Sequence, residues 1–304
     1  MNKICVVGSI NIDMVTTTPK IPVLGETIAG SGFICSAGGK GANQAVAAAR
    51  LGAEVTMIGC VGGDSFGQLM LENFRRDGIC TDMIKVASGA ETGTATILVC
   101  QGDNFIILNE GANALVSPSM ITDGKRFLQD ADVIMLQNEI PPETNRTVFD
   151  QSRALIFYNP APSAKTVPEY LFKADVLAVN EHECGDITGR KIDCTDAAKS
   201  AALYLAEKGI KNVIVTLGGN GAVYTEGGKV YSHDAIHVEN VVDTTAAGDC
   251  FCGAVAKCLA CGGSIHEAID FATAASAITI TKKGAQVSIP TARRVEEFRK
   301  GLQI

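Results

Sequence analysis

The amino-acid sequence predicts an α/β fold in which helices cover both faces of a mainly parallel sheet. One observation is a regular alternation, from residue 132 onward, of short apolar runs of strand length with helix-like segments. Such runs are typical of strands that are buried on both faces. The other observation is that strand-like runs follow one another without helices at about residues 12–34 and 92–109. We therefore expect a second, smaller sheet apart from the main one.

The composition restricts the class of protein. A chain of 304 residues can bury a large core as one α/β domain. The net charge of −7 and the lack of Lys/Arg-rich runs argue against nucleic acid or an anionic membrane surface as a partner. The apolar run at the N-terminus is too short for a signal peptide and no later run could span a membrane, so we expect a soluble cytoplasmic protein. Eleven Cys, mostly within apolar segments, are typical of packed thiols in a reducing compartment.

The first predicted strand covers residues 4–7 and leads into a second extended run with two polar side chains on one face. Asn11 and Asp13 stand at alternate positions, and alternate side chains of a strand share a face. Apolar residues at positions 10, 12 and 14 fill the other face, which favours an ordered strand over a polar turn. The two polar groups would then point at a common target.

A glycine-rich turn at residues 37–41 precedes a helix with small apolar residues on one face and a C′ glycine at Gly52. Such an entry into a helix N-terminus suggests a ligand at the turn, although purely structural turns of this kind are common. The spacing of a Walker A phosphate loop is absent. Lys40 and Asn43 could instead donate hydrogen bonds to hydroxyl groups.

Residues 54–61 predict a further strand, after which Asp64 caps a helix. The runs at residues 92–99 and 104–109 predict a β-hairpin with its turn at residues 101–103.

Polar residues and glycines follow predicted strands of the regular part, which cover residues 133–136, 154–158, 176–179 and 212–216. In open parallel sheets, ligands bind outside the carboxyl ends of the strands. The residues that fall there include Glu139, Asn180, Glu183, Thr216 and Gly218. We therefore expect a ligand cleft along this edge of the sheet.

The segment at residues 243–249 contains two carboxylates around five small residues. It lies between a strand-like run at residues 236–242 and a helix predicted to begin near Asp249. Backbone N–H groups and the positive end of a helix dipole would meet at such a turn, which favours an anion site. Gly248 would supply backbone angles that other residues avoid. Asp249 would repel the anion but could accept the proton of a hydroxyl that attacks it; the alternative is that Asp249 only caps the helix.

With these segments together, the chain resembles the ribokinase-like, or PfkB, family of carbohydrate kinases over essentially its whole length. The motifs that carry the resemblance are Gly8–Asp13, Gly25–Thr27, Gly38–Ala45, Asn180-x-x-Glu183, Thr216–Gly218 and Asp243–Asp249. The resemblance implies a ribokinase-like three-layer αβα sandwich, as a single domain over residues 1–304. The β-rich pieces at about 12–34 and 92–109 would then be lid strands inserted into that domain.

The resemblance implies that the γ-phosphoryl group of ATP is transferred to a sugar hydroxyl, which is O5 of D-ribose in the most similar members. Asp249 would be the general base, and the backbone N–H groups of Ala246, Ala247 and Gly248 would form the anion hole. The sugar-binding residues would be Asn11, Asp13, Gly39, Lys40, Gly41, Asn43, Glu139 and Asp249. A homodimer through the lid sheet is also implied.

The resemblance further implies sites for nucleotide and metal ions. The ATP-binding residues would be Asn180, Thr216, Gly218, Gly219, Gly221, Gly248 and Thr273. Glu183 would act on Mg²⁺ through water, because Mg²⁺ keeps several of its waters. A monovalent cation such as K⁺ would be held beside the anion hole by Asp243, Thr245, Thr279, Lys282, Gly284 and Ser288. Lys282 and Thr245 would have to contribute backbone carbonyls, since an ammonium cannot ligate a cation.

Other functions remain open at this point: a kinase for deoxyribose, fructose or a nucleoside, or a sugar- or nucleotide-binding regulator without catalysis. Asn11, Asp13 and the compact glycine-rich turn favour a small hydrophilic sugar. A nucleoside would call for aromatic stacking, and the chain has no Trp and five Tyr. The intact Asp249 and anion hole argue against a regulator, because binding alone needs no base there.

Overall fold

The computed structural model describes residues 2–101 and 103–302. The strands are β1 (Lys3–Val7), β2 (Asn11–Thr18), β3 (Gly32–Gly38), β4 (Glu54–Gly62), β5 (Cys80–Ala87), β6 (Gly93–Cys100), β7 (Asp103–Asn109), β8 (Val133–Leu136), β9 (Leu155–Tyr158), β10 (Val176–Asn180), β11 (Asn212–Thr216), β12 (Ala222–Glu226) and β13 (Lys229–His233). The helices are α1 (Lys40–Arg50), α2 (Ser65–Arg76), α3 (Pro118–Asp123), α4 (Lys125–Asp130), α5 (Pro142–Gln151), α6 (Glu181–Thr188), α7 (Thr195–Glu207), α8 (Ala247–Ala260), α9 (Ile265–Thr279) and α10 (Ala292–Leu302).

The main sheet has nine strands in the order β13-β12-β11-β10-β9-β8-β1-β4-β5. The pairs from β11 to β5 are parallel, and β12 and β13 add an antiparallel edge. Ile4 and Val6 of β1 belong to a core cluster with residues of α1, α2, α8, α9 and α10, whereas Cys5 and Val7 belong to a second cluster with residues of α3 to α7. The alternation of strand side chains thus builds two cores, and the predicted three-layer αβα architecture is confirmed.

The predicted second sheet is also present. Its order is β3-β2-β6-β7, with β2 parallel to β6 and antiparallel to β3. The strands differ from the predicted limits, because β2 and β3 are separated by an irregular connection at residues 19–31. Strands β6 and β7 form the predicted hairpin. Gly102, in the predicted turn, lies outside the described residues.

Local sequence signals account for two helix ends. The Asp64 carboxylate accepts a hydrogen bond from the backbone N–H of Gly67 at 2.8 Å and so caps α2, as predicted. After α1, Gly52 has a φ of +100°, a left-handed conformation that favours glycine. Both helices pack against the main sheet, α1 on β1 and β4 and α2 on β4 and β5.

The strand predicted at residues 236–242 is wrong. These residues are irregular, and the backbone N–H groups of Val242 and Asp243 donate to the carbonyl of Ile280, just beyond α9. Because these donors are used by a helix terminus, they are not available for a ladder with β13.

Within residues 2–101 and 103–302, none of the helices combines the length and the apolar character that a membrane crossing requires. All eleven Cys are free thiols.

Candidate active site

The turn before α8 differs in detail from the predicted one. Helix α8 begins at Ala247, two residues earlier than predicted, and its N-cap is Ala246 with a left-handed φ of +60°. The unusual backbone therefore belongs to Ala246 and not to Gly248, at a cost of roughly 1–2 kcal/mol for a residue with a Cβ. Asp249 lies inside the first helical turn, so the interpretation that it is only the N-cap is wrong. The N–H of Ala247, one of the expected anion-hole donors, is used in a 3.2 Å bond to the Thr244 carbonyl.

The Asp249 carboxylate is buried and faces α1. Its Oδ2 accepts from Asn43 Nδ2 at 2.9 Å, and its Oδ1 accepts from Gln44 Nε2 at 3.1 Å. The two helices approach closely at Gly253, where a Cβ would lie 2.6 Å from the Ala47 Cβ. The glycine in α8 and the small face of α1 thus bring an amide pair of α1 to the carboxylate.

The glycine-rich turn is held by Ser9 and Glu139. Glu139 Oε2 accepts from Ser9 Oγ at 2.5 Å and from the Lys40 backbone N–H at 3.0 Å, while Ser9 Oγ accepts from the Gly41 N–H at 3.2 Å. Gly39 has a φ of +89°, and a Cβ there would lie 2.7 Å from the Asn11 nitrogen. Four of the predicted sugar-site residues therefore lie together at this turn: Gly39, Lys40, Gly41 and Glu139.

Asn11 is oriented by a residue that the sequence analysis did not single out. Its Oδ1 accepts from Asn113 Nδ2 at 2.7 Å, and Asn113 Oδ1 accepts from the Ile10 N–H at 2.9 Å. The Asn11 amide must therefore turn its Nδ2 the other way, where it can donate to a ligand. Gly93 permits this contact, because a Cβ there would lie 2.2 Å from Asn11 Oδ1.

Negative charge accumulates at this turn. The pKa of Asp13 is raised to about 7, chiefly by burial and also by the carboxylates of Glu139 and Asp249, while Lys40 opposes the rise. Burial alone would lower the pKa of Lys40, but Asp249, Glu139 and Glu183 together leave it raised. The Lys40 side chain is therefore an ammonium group at neutral pH, among carboxylates.

Asn180 and Glu183 form a reciprocal capping box at the start of α6. The Glu183 N–H donates to Asn180 Oδ1 at 2.8 Å, and the Asn180 N–H donates to Glu183 Oε2 at 3.0 Å. Burial raises the pKa of Glu183 despite the hydrogen bond from the Asn180 N–H. Both residues line a cavity of about 150 Å³ that also borders Lys40, Thr216 and Asp249.

A second cavity, of about 330 Å³, adjoins the first at Thr216 and Gly248. The predicted ATP-site residues that line it are Thr216, Gly218, Gly219, Gly221, Gly248 and Thr273. Ile236, Val241 and Phe251 supply apolar walls. The irregular segment at residues 236–242 is thus a wall of this cavity and not a strand.

The predicted cation ligands are brought together in part. Asp243 Oδ1 accepts from the N–H and the hydroxyl of Thr245 at 2.9 and 2.6 Å, and Oδ2 accepts from the Gly284 N–H at 2.8 Å. Burial raises the pKa of Asp243, but these bonds and the charge of Lys283 outweigh it, so the pKa is lowered. The hydroxyls of Thr279 and Ser288 donate to the carbonyls of Ala275 and Ala285, and the Lys282 N–H donates to the Thr279 carbonyl. The set offers carboxylate, hydroxyl and carbonyl oxygens, which suit a hard cation.

Five residues near these groups were missed: Ser9, Gln44, Asn113, Gln137 and Asn159. Gln137 and Asn159 each directly follow a strand of the main sheet, so the strand-end rule that selected Glu139 could have selected them too. Gln44 stands beside Asn43 in the glycine-rich motif. Asn113 lies in a short 3-10 helix after β7 with no local sequence signal.

Comparison with known proteins agrees with this geometry. The family described as pfkB family carbohydrate kinase matches residues 1–292. A ribokinase of Bacillus subtilis is 39% identical over 301 residues, which cover 98% of this chain and 99% of the relative. A deoxyribokinase of Salmonella typhimurium is 35% identical over 300 residues, with 97% and 98% covered. The structure of Arabidopsis thaliana ribokinase complexed with ribose and ATP superposes with a TM-score of 0.91 at 30% identity, covering 98% of this chain and 99% of that one.

Proposed function

The chain belongs to the pfkB family of carbohydrate kinases, and on that premise we propose that it transfers the γ-phosphoryl group of ATP to O5 of D-ribose, giving D-ribose 5-phosphate and ADP. The observation that carries the proposal is the position of Asp249. Its carboxylate is bonded to Asn43, in the first turn of α1 directly after the glycine-rich turn, and also borders the cavity formed with Asn180, Glu183 and Thr216. A base at the meeting point of a sugar turn and a phosphate cleft suits phosphoryl transfer to a hydroxyl.

In this mechanism Asp249 accepts the proton of the O5 hydroxyl as its oxygen attacks the γ-phosphorus and ADP leaves. The backbone of residues 246–248 faces the transferred group, and the Ala247 N–H would exchange its long bond to Thr244 for the phosphoryl oxygen. Lys40 adds positive charge beside the same cavity.

The sugar would lie between β2 and the glycine-rich turn. Asn11 offers a donor, the carboxylates of Asp13 and Glu139 offer acceptors, and the buried Asn43 Oδ1 lacks a hydrogen-bond partner among the described residues. A buried amide oxygen left unpaired is unfavourable, so a ribose hydroxyl that donates to it would be bound selectively.

ATP would occupy the two cavities, its base and ribose beside Gly218, Gly221 and Thr273 and its phosphates near Asn180 and Gly248. Mg²⁺ would neutralise phosphate charge, and Glu183 could accept from its water ligands. A monovalent cation such as K⁺ would be held by the Asp243 set and would keep the anion-hole turn in shape. We assign this activity to a cytoplasmic single-domain enzyme that forms a homodimer through the lid sheet.

The nearest alternative substrate is deoxyribose. A deoxyribokinase is 35% identical to this chain, and a site for deoxyribose would differ from a site for ribose in few contacts. Fructose and nucleosides are less favoured by the compact turn, and a regulator without catalysis would not need Asp249 between the two cavities.

The proposal is tested by incubating the protein with ATP, Mg²⁺ and K⁺ and measuring phosphorylation of ribose, deoxyribose, fructose and nucleosides. We expect ribose to give the highest kcat/KM and Asp249→Asn to lower kcat by on the order of 10²–10⁴-fold, the usual contribution of a general base. Asp196→Asn, an exposed change in the first turn of α7, is the matched control and should keep full activity. Near-full activity of Asp249→Asn would refute the base assignment, and inactivity of the unmodified protein on every acceptor would favour the regulator.

A further inference from the structure

Asp249 is fixed by two neutral amides from neighbouring residues of α1. Asn43 Nδ2 holds Oδ2 and Gln44 Nε2 holds Oδ1, at 2.9 and 3.1 Å. An ionised carboxylate has about four acceptor sites, so two remain for a ligand once each oxygen has taken one donor. Gln44 is fully buried, and both ends of its amide are bonded to protein groups, whereas Asn43 Oδ1 has no partner among the described residues. The contact of Gln44 with the base therefore calls for an explanation other than sugar binding.

The orientation of the Gln44 amide follows from its neighbours. Its Nε2 lies 3.1 Å from Asp249 Oδ1 and 3.1 Å from Asn159 Oδ1. Asn159 in turn donates its Nδ2 to the Ala178 carbonyl at 2.9 Å, which leaves its Oδ1 towards Gln44. Because both neighbours are acceptors, the nitrogen of Gln44 must face them and its oxygen must face away.

The oxygen of Gln44 meets a second buried glutamine. Gln137 Nε2 donates to Gln44 Oε1 at 2.7 Å, and Gln137 is fully buried directly after β8. Gln137 Oε1 has no partner among the described residues and points at Gly8, where a Cβ would lie 2.1 Å away. A buried oxygen without a donor is unfavourable. The Gln137 amide nevertheless has this orientation, which is the one that turns its nitrogen towards Gln44 Oε1.

We propose that Gln44 is a positioning residue for Asp249 and that Gln137 acts through Gln44 by setting the direction of its amide. The inference rests on the proposed phosphoryl transfer. The two donors to the carboxylate are neutral, and no cation of the described residues lies at bonding distance from it. They restrict its rotation, so that a free acceptor site faces the attacking hydroxyl. Since such positioning acts on proton transfer, its loss should appear in kcat more than in KM.

The first experiment compares Gln44→Met with Thr144→Val. Methionine keeps the length and the unbranched shape of glutamine but lacks the donor. We expect kcat to fall about 10–100-fold while the ribose KM changes less than about threefold. Thr144→Val removes another fully buried hydrogen bond, Thr144 Oγ1 to the Val116 carbonyl at 2.7 Å, and should lower Tm without changing kcat.

The second experiment repeats Gln44→Met in the Asp249→Asn background. If Gln44 acts through Asp249, its replacement should have little further effect once the carboxylate is gone, whereas a general structural role would lower kcat by the same factor in both backgrounds. The same logic applies to Gln137→Met. As a single substitution it should lower kcat, but in combination with Gln44→Met it should cause no further loss. If the losses of kcat multiply in the Gln44–Asp249 double variant, Gln44 does not act through Asp249. If they multiply in the Gln137–Gln44 double variant, Gln137 does not act through Gln44.

Retention of kcat within about twofold in Gln44→Met would overturn the inference while leaving ribose phosphorylation intact. Failure of the unmodified protein on ribose is a different result and concerns the proposed function; the same cycles can then be run on whichever acceptor is used. If Gln44→Met does not fold, Gln44→Asn withdraws the donor by one methylene and takes its place, with the same expected loss.

Discussion

Carboxylates from Asp13, Glu139 and Asp249 surround the ammonium group of Lys40 at the glycine-rich turn. This excess of negative charge suits a site whose polar ligand brings several hydroxyl donors. Burial, together with the charges of Glu139 and Asp249, raises the pKa of Asp13 to about 7, so Asp13 keeps its proton to a higher pH than an exposed aspartate would.

The pH dependence of stability should report this proton. An aspartate with a raised pKa in the folded chain contributes stability that is present at low pH and is lost as the pH rises through about 7. Asp13→Asn removes the ionisation, so the variant should exceed the unmodified protein in stability by about 2–4 kcal/mol at pH 8, and the difference should vanish towards pH 4. Urea unfolding from pH 4 to 8 measures it; a constant difference across that range would contradict the raised pKa.

Single elements of the site combine a structural and a ligand-facing role. The capping box of Asn180 and Glu183 starts α6 and at the same time places a buried carboxylate beside the cavity that also borders Lys40, Thr216 and Asp249. Likewise, Asp243 ties the turn before α8 to Gly284, in the connection after α9. The turn before α8 and the proposed cation site are therefore parts of one structure.

Removing the cation should weaken this turn. We expect activity to fall severalfold when K⁺ is replaced by tetramethylammonium, which is too large for a site of carbonyl and carboxylate oxygens. Asp243→Asn replaces an acceptor with a donor, so it should cost about 1–3 kcal/mol of stability and leave an activity that no longer responds to K⁺. Assays at constant ionic strength separate these effects; indifference of the unmodified protein to K⁺ would exclude the cation site and leave Asp243 with its structural role.

On the scale of the whole molecule, the second sheet, the proposed lid, carries an unusual amount of exposed apolar surface. In the edge strand β7, Phe105 and Ile107 are 51% and 60% exposed, and Ile106 and Leu108 on the opposite face are also exposed. Consecutive exposed apolar residues on an edge strand favour association with another chain. This supports the proposed homodimer through the lid.

A charge on β7 should therefore separate the protomers. We expect Ile107→Lys to shift the molecular mass in sedimentation from that of a dimer to that of a monomer, because an ammonium would be buried in the interface. Val86→Lys, at a similarly exposed position on the edge strand β5 of the main sheet, is the matched control and should leave the mass unchanged. A monomer before any substitution would refute the dimer.

Much of the molecule follows from local sequence patterns. The alternation of apolar strands with helices, the two helix-free β-rich pieces and the Asp64 cap depend on residues within a few positions of each other, and each is found in the structure. The strand-end rule placed Asn180, Glu183 and Thr216 correctly around one cavity, because parallel strands end at a common edge.

Tertiary packing decided the rest. The bond from Gln44 to Asp249 joins residues 205 positions apart, and it forms because Gly253 allows α8 to approach α1 closely. The run at residues 236–242 has strand-like side chains, but its backbone donors are taken by Ile280. Local propensity is overridden in such places, since the free energy of a long-range contact depends on the partner that the fold supplies and not on the residues beside it in sequence. Sequence alone thus determined the layers and the edge of the sheet where the site lies, and only the folded chain determined which amides hold Asp249.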